Sequence, residues 1–168
     1  MIVADSNLVA YLLIPGANSA LADEVFRKDA DWAVPLICRS ELRNVLTLYM
    51  RHQGMSLLQA QITMGKAERL WSGREYAIPS DDVLELTFRH KLTAYDGEFV
   101  ALAAQLGVPL VTFDRAVCKA CPDVTVSAGD FLQEALAKPP RSTRRSTLRQ
   151  ANRHIPQVSG GAGSVLPS

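Results

Sequence analysis

A chain of 168 residues, 48% hydrophobic and 21% charged, can bury one sizeable core and has the balance of an ordinary globular domain. Its apolar stretches are broken by charge well short of the roughly 18 residues that cross a bilayer, and no basic-then-apolar leader precedes Asp5; this argues against a membrane protein and for a cytoplasmic one. The net charge of +1 conceals an asymmetry: residues 1–137 hold twelve Lys and Arg against seventeen Asp and Glu, whereas residues 138–168 hold six basic residues and no acid.

In chain order, Ile2-Val3-Ala4 reads as a short buried strand closed by Asp5, followed by an apolar helical patch over 8–13 that ends before Pro15-Gly16. Residues 18–29 predict a helix with Leu21, Val25 and Phe26 on one side, and Trp32-Ala33-Val34 a second strand ended by Pro35. From 36 to 53, Leu42, Val45, Leu46 and Tyr49 recur at helical spacing up to Gly54, and Ser56 is a natural N-cap for a further helix over 56–71. Tyr76-Ala77-Ile78 predicts a weaker strand. Helices are expected over 80–89 and 95–106, the second closing at Gly107, and the clearest late strand is 108–112. A short helix after Asp114, a strand at 124–126 and a helix over 129–137 complete the body.

Strands separated by helical segments, with no tight hairpin signals, imply parallel crossovers. The expected architecture is a three-layer α/β/α sandwich around a parallel sheet of about five strands, spanning 1–137. The Pro-, Ser- and Gly-rich residues 138–168 offer little to bury and read as a flexible basic arm. An acidic body with a basic arm suits a nucleic-acid partner, and equally a solubilising tail.

The cysteines carry little chemistry. Cys118-Lys119-Ala120-Cys121 matches C-x-x-C, but no second pair completes a zinc site, Cys38 stands alone, and His52, His90 and His154 are scattered. Two small residues on a short helix is the plainer reading.

The acids are more informative. Asp5 and Asp114 end apolar strands, where open parallel sheets bind their ligands. Asp96 begins the helix before the second of these strands. Glu41 lies near the start of the long helix with Asn44 on the same face. Each has a structural explanation: the three aspartates can cap helices, and Glu41 can be a solvated residue beside Arg43. The joint pattern points further. Carboxylates that converge raise one another's pKa unless a cation intervenes, and Mg²⁺ or Mn²⁺ is the natural partner of an all-oxygen set. Ser6, Asn7, Asn44 and Thr112 offer neutral oxygens to orient acids or waters.

These same segments resemble the PIN-domain ribonucleases. Val3-Ala4-Asp5-Ser6-Asn7 looks like the family's opening strand motif and Glu41-Leu42-Arg43-Asn44 like its Glu-x-x-Asn helix. Tyr95-Asp96-Gly97-Glu98-Phe99 and Leu110-Val111-Thr112-Phe113-Asp114 are similar to the third and fourth motifs, in the same order. The likeness spans about 1–135 and is nearest in style to VapC-type toxins of bacterial toxin–antitoxin pairs. It implies a Mg²⁺- or Mn²⁺-dependent endoribonuclease, often a homodimer, silenced by an antitoxin that reaches into the acidic pocket. Asp5 and Asp96 would be the most direct metal ligands, Glu41 and Asp114 would complete the catalytic set, and Ser6, Asn44 and Thr112 would support it.

There are departures. Gly97 weakens the helix that carries Asp96, Glu98 adds charge beside it, and Arg115-Ala116-Val117-Cys118 follows Asp114 where many relatives carry another acid, which puts a second metal in doubt. Within the class, the alternative to a toxin is a housekeeping RNA-processing PIN nuclease. Outside it stand a non-catalytic metal-binding interaction module and, less well supported, an aspartate-based phosphatase, which would favour Asp-x-Asp where this chain has Asp5-Ser6-Asn7. The arm's six basic residues are expected to raise RNA affinity without setting where cleavage occurs.

Overall fold

The computed structural model describes residues 1–133; the end of the expected last helix and the arm at 138–168 lie outside the described residues. Five strands, Ile2–Ala4 (β1), Trp32–Pro35 (β2), Glu75–Tyr76 (β3), Leu110–Thr112 (β4) and Thr125–Ser127 (β5), form one sheet in the order β3-β2-β1-β4-β5 with every neighbouring pair parallel. β1, β2 and β4 are buried at every position, as strands covered on both faces must be, which is why they read as unbroken apolar runs.

Helices cover the sheet: α1 (Ser6–Leu13), α2 (Ser19–Lys28), α3 (Ile37–His52), α4 (Leu57–Leu70), α5 (Ser80–His90), α6 (Ala94–Leu106), α7 (Arg115–Ala120) and α8 (Ala128–Gln133). α6 lies across β1, β2 and β4 with α5 packed on it, while α1 gathers α2, α3 and α4, and α8 packs on α2 beside β4 and β5. The three-layer α/β/α expectation therefore holds. Local signals held too. Ser56 and Gln59 form a reciprocal capping box at the head of α4, at 3.2 and 2.8 Å, and Gly107 closes α6 in the left-handed region at φ 66°.

Two expectations need correction. Pro35 does not end the second strand but forms its last residue. Val34 and Leu36 donate to Arg74 and Tyr76 at 3.0 Å each, so the N–H that Pro35 lacks would have faced the β1 side, beyond the last residue of β2 paired there. The third strand is Glu75–Tyr76 instead of 76–78, because it takes in a glutamate that composition would place in solvent. Glu75 is 7% exposed and is held by the forked guanidinium of Arg39.

Gly97, a helix-weakening residue by sequence, has a packing reason. A Cβ built there would lie 2.7 Å from Thr87 Cγ2 and 3.2 Å from Val83 Cγ1, so the glycine lets α5 close onto α6. Gly97→Ala would add about 1 kcal/mol of helix propensity but overpack a contact at a cost of about 1–3 kcal/mol. The expected result is a net loss of roughly 1 kcal/mol in urea unfolding. A midpoint at or above wild type would show that α5 moves aside freely.

Candidate active site

The chain runs from β1 to β2 on one side and reaches β4 and β5 on the other, so the strand order reverses between β1 and β4. Such a switch point opens a crevice beyond the carboxyl ends of the strands. Register brings the first pair of residues together there: Val3 lies opposite Leu110 and Ala4 opposite Val111, which sets Asp5 beside Thr112. Thr112 Oγ1 donates to Asp5 Oδ2 at 2.6 Å and accepts from the Asp114 N–H at 2.9 Å. A single hydroxyl on a residue only 1% exposed thus ties both strand-end acids. Tyr11 of α1 packs edge-on against Phe113, with centroids 4.8 Å apart, and pins the segment between Thr112 and Asp114.

Glu41 arrives from α3. It is half-buried, and its Oε2 accepts from the hydroxyl of buried Ser6, the first residue of α1, while Arg43 points to solvent. The solvated-helix reading of Glu41 therefore fails. Asp96 sits in the first turn of α6, where Thr93 is the cap: Thr93 Oγ1 accepts from the Asp96 N–H at 3.1 Å and donates to Asp96 Oδ2 at 2.7 Å.

The capping explanation separates the three aspartates. Asp114 is a true cap, its Oδ1 accepting from Ala116 and Val117 at 2.7 and 3.2 Å. Asp5 holds the cap position of α1 but makes no side-chain cap bond, turning to Thr112 instead. Asp96 is held by a cap without being one. Asn44 is exposed and has no hydrogen bond to the acids among the described residues.

The electrostatics join acids from distant segments. Burial pushes the Asp5 carboxyl above its ordinary range; Thr112 and the N–H groups of Asn7 and Ser6 oppose this, and the charge of Asp96 adds to it. Glu41 is likewise raised, first by burial and then by the charges of Asp5, Asp96 and Glu98, against the help of Ser6. Burial raises Glu98 as well. Beneath them the fully buried thiol of Cys38 is pushed far up by desolvation and feels Glu41 and Asp5.

The donor set is hard oxygen with excess negative charge, which fits a divalent cation of the Mg²⁺ type in chemistry. Among the described residues, no three His, Cys, Asp or Glu side chains form a group that could hold a metal as they stand. Each acid has its own partner: Thr112 for Asp5, Ser6 for Glu41, Thr93 for Asp96 and the N–H groups at the head of α7 for Asp114.

No protein-family model matches the chain. Ribonuclease VapC3 of Pyrobaculum aerophilum is 27% identical over 127 residues, covering 72% of this chain and 95% of that protein. The crystal structure of PAE2754 from the same organism superposes with a TM-score of 0.63 at 21% identity, covering 82% of this chain and 90% of that one. A toxin–antitoxin complex from Klebsiella pneumoniae gives 0.53 at 19% identity, covering 76% and 98%.

The fold is PIN-like. The resemblance read from four motifs thus extends over most of the chain, in sequence as in architecture. In this PIN-like frame, sequence reasoning missed Thr93, which fixes Asp96, and undervalued Glu98, whose charge reaches Glu41. The Thr93-x-x-Asp96 spacing at a helix start was the available signal for the first. Cys118 lies within α7 and Cys121 at its end, both with free thiols. No helix among the described residues is long and apolar enough to cross a membrane.

Proposed function

We propose that this protein is a Mg²⁺- or Mn²⁺-dependent endoribonuclease acting in the cytoplasm as the toxin of a toxin–antitoxin pair. The observation that supports the reading is that Asp5, Glu41 and Asp96, from three separate elements, feel one another's charge near the reversal between β1 and β4, where burial first and neighbouring charge after it raise Asp5 and Glu41. Natural folds keep such a cost where the charges serve a reaction. The likeness to a VapC ribonuclease supports the substrate class, and the likeness to a toxin–antitoxin complex supports the pairing.

Asp5, Glu41 and Asp96 would hold the cation, and Asp114 would complete the site directly or through water. When bound, a divalent cation supplies Lewis acidity toward a phosphodiester and lowers the pKa of an attacking water. The chain's own part is to hold these oxygens still. Thr112 orients Asp5 and anchors the backbone at Asp114, Ser6 orients Glu41, and Thr93 orients Asp96. An antitoxin would silence the site by placing a basic side chain among these acids, which neutralises them as the cation does.

The test is cleavage of total and structured RNA by the full chain with Mg²⁺, with Mn²⁺ and with chelator, beside Asp96→Asn. The asparagine can still accept from Thr93, so the cap survives while the ligand charge is lost. Cleavage that needs the metal and disappears in Asp96→Asn, with weaker Mn²⁺ binding by calorimetry, is the expected result. Metal-independent cleavage, or full activity in the variant, would overturn the reading.

A further inference from the structure

α5 and α6 are joined by a turn of three residues, Lys91-Leu92-Thr93. Leu92 packs against the core, His90 Nδ1 lies 3.0 Å from the Ala120 carbonyl oxygen, and Thr93 holds Asp96. The turn is therefore fixed beside Asp96, whose charge reaches Asp5 and Glu41. Phe88 stands before the turn and Tyr95 after it, 91% and 60% exposed. Among the described residues these are the two exposed aromatic side chains, and both flank this turn. Tyr95 directly precedes Asp96, so the aromatic surface runs up to the acids.

Between the two rings stand Arg89, His90 and Lys91. Arg89 is engaged by Glu85 along α5, whereas Lys91 has no ion-pair partner among the described residues. Lys91 is also the only non-glycine residue at positive φ among them, at 56°. Gly54, Gly73 and Gly107 take the other such positions, where glycine meets no steric cost. A lysine gives up that ease and keeps a cation at the end of α5, where it offsets the negative end of the helix dipole. Rings interleaved with bases suit a single strand of nucleic acid. An unpaired base offers a flat π-face to a ring, its phosphate meets an ammonium, and no continuous apolar patch is needed. The exposed Leu57, Leu58 and Ile62 of α4 are aliphatic and offer no ring to a base.

We propose that the α5–α6 turn is the surface along which a single RNA strand reaches the acids. Phe88 and Tyr95 each stack on an unpaired base, and the Lys91 ammonium meets a phosphate between them. The assignment rests on the reading of the acids as a ribonuclease site and adds a demand to it: the substrate is unpaired here. Stacking tolerates any base, so the turn selects unpaired RNA over duplex and leaves the choice of sequence to other contacts.

Fluorescence anisotropy of a labelled single-stranded RNA of about 12 nucleotides, with the full chain in chelator, tests it. Residues 138–168 are kept throughout, so their six basic residues add the same background to every variant. Phe88→Ala and Tyr95→Ala should each weaken binding by about tenfold, and the double variant by more than either. Lys91→Gln should lower the slope of log K against log salt by about 0.7, and Lys91→Arg should leave it unchanged. The same RNA in a duplex should bind with no response to Phe88→Ala. Thermal unfolding of Phe88→Ala should match wild type, since so exposed a ring has little core contact to lose. Unchanged binding in both aromatic variants would overturn the proposal, as would equal losses on single strand and duplex. So would a Phe88→Ala chain that changes its association state but keeps its RNA affinity, which would give this face to a protein. The readout needs no cleavage: variants that bind normally sink the proposal with the nuclease reading intact, and RNA held through these residues but never cut does the reverse.

Discussion

Asp5→Asn should lower RNA cleavage by about 10²–10³-fold or more while leaving the metal-free protein more stable than wild type. The two effects share one cause. Asp5 is buried enough to resist ionisation and lies within reach of Asp96, so its charge burdens the fold unless a cation offsets it. Asparagine keeps the shape and can still accept from Thr112, but carries no charge. Because Glu41 is raised by Asp5 among other causes, the substitution relieves that group too.

The sign of the pH dependence follows. A carboxyl whose folded pKa stands above its ordinary 3.8 binds protons more readily folded than unfolded. Its penalty is absent below 3.8, grows as pH rises from there toward the raised folded value, and is complete above it. In chelator, the gain in melting temperature of Asp5→Asn over wild type should therefore open as pH rises above roughly 4, and added Mn²⁺ should narrow it by stabilising wild type alone. A gap independent of pH would mean that the Asp5 charge is not what burdens the fold. Undiminished cleavage would remove Asp5 from the reaction.

Arg39→Leu should cost about 2–3 kcal/mol and reduce cleavage as a consequence. The Arg39 guanidinium grips both oxygens of Glu75 and reaches Glu68 at 2.6 Å, joining α3 to the edge strand β3 and to α4. Without it the buried Glu75 keeps a charge with no counterion, which is costlier than losing the attraction itself. The figure is set below that of a fully enclosed pair because the Arg39 side chain is 33% exposed. Glu41 lies two residues further along α3, so loosening this tie disturbs the acid that Ser6 holds. Arg39→Leu with Glu75→Leu should recover most of the stability in urea unfolding. If the double change is as unstable as the single one, the ion pair is not what holds β3.

Much of this was legible because it is local. Short, largely apolar strand segments closed by an acid mark Asp5 and Asp114, Ser56 marks the head of α4, and Gly107 marks the end of α6. Such signals depend on neighbours within one turn of helix or one short strand, where propensity and hydrogen-bond supply decide the outcome. They were enough to set out a parallel α/β body and to nominate four acids.

What the tertiary structure decided lies between residues far apart in the chain. The pairing of β1 with β4 puts Thr112 on Asp5 across 107 positions, and the approach of α1 to α3 puts Ser6 on Glu41 across 35. The same holds for Glu75, buried only because Arg39 comes to meet it, and for Gly97, small only because α5 presses there. No window of sequence contains these contacts. Their energies are those of burial, packing and charge, which depend on three-dimensional neighbours, and so a list of acids becomes a candidate site only once strand pairing and helix packing set their charges within reach of one another.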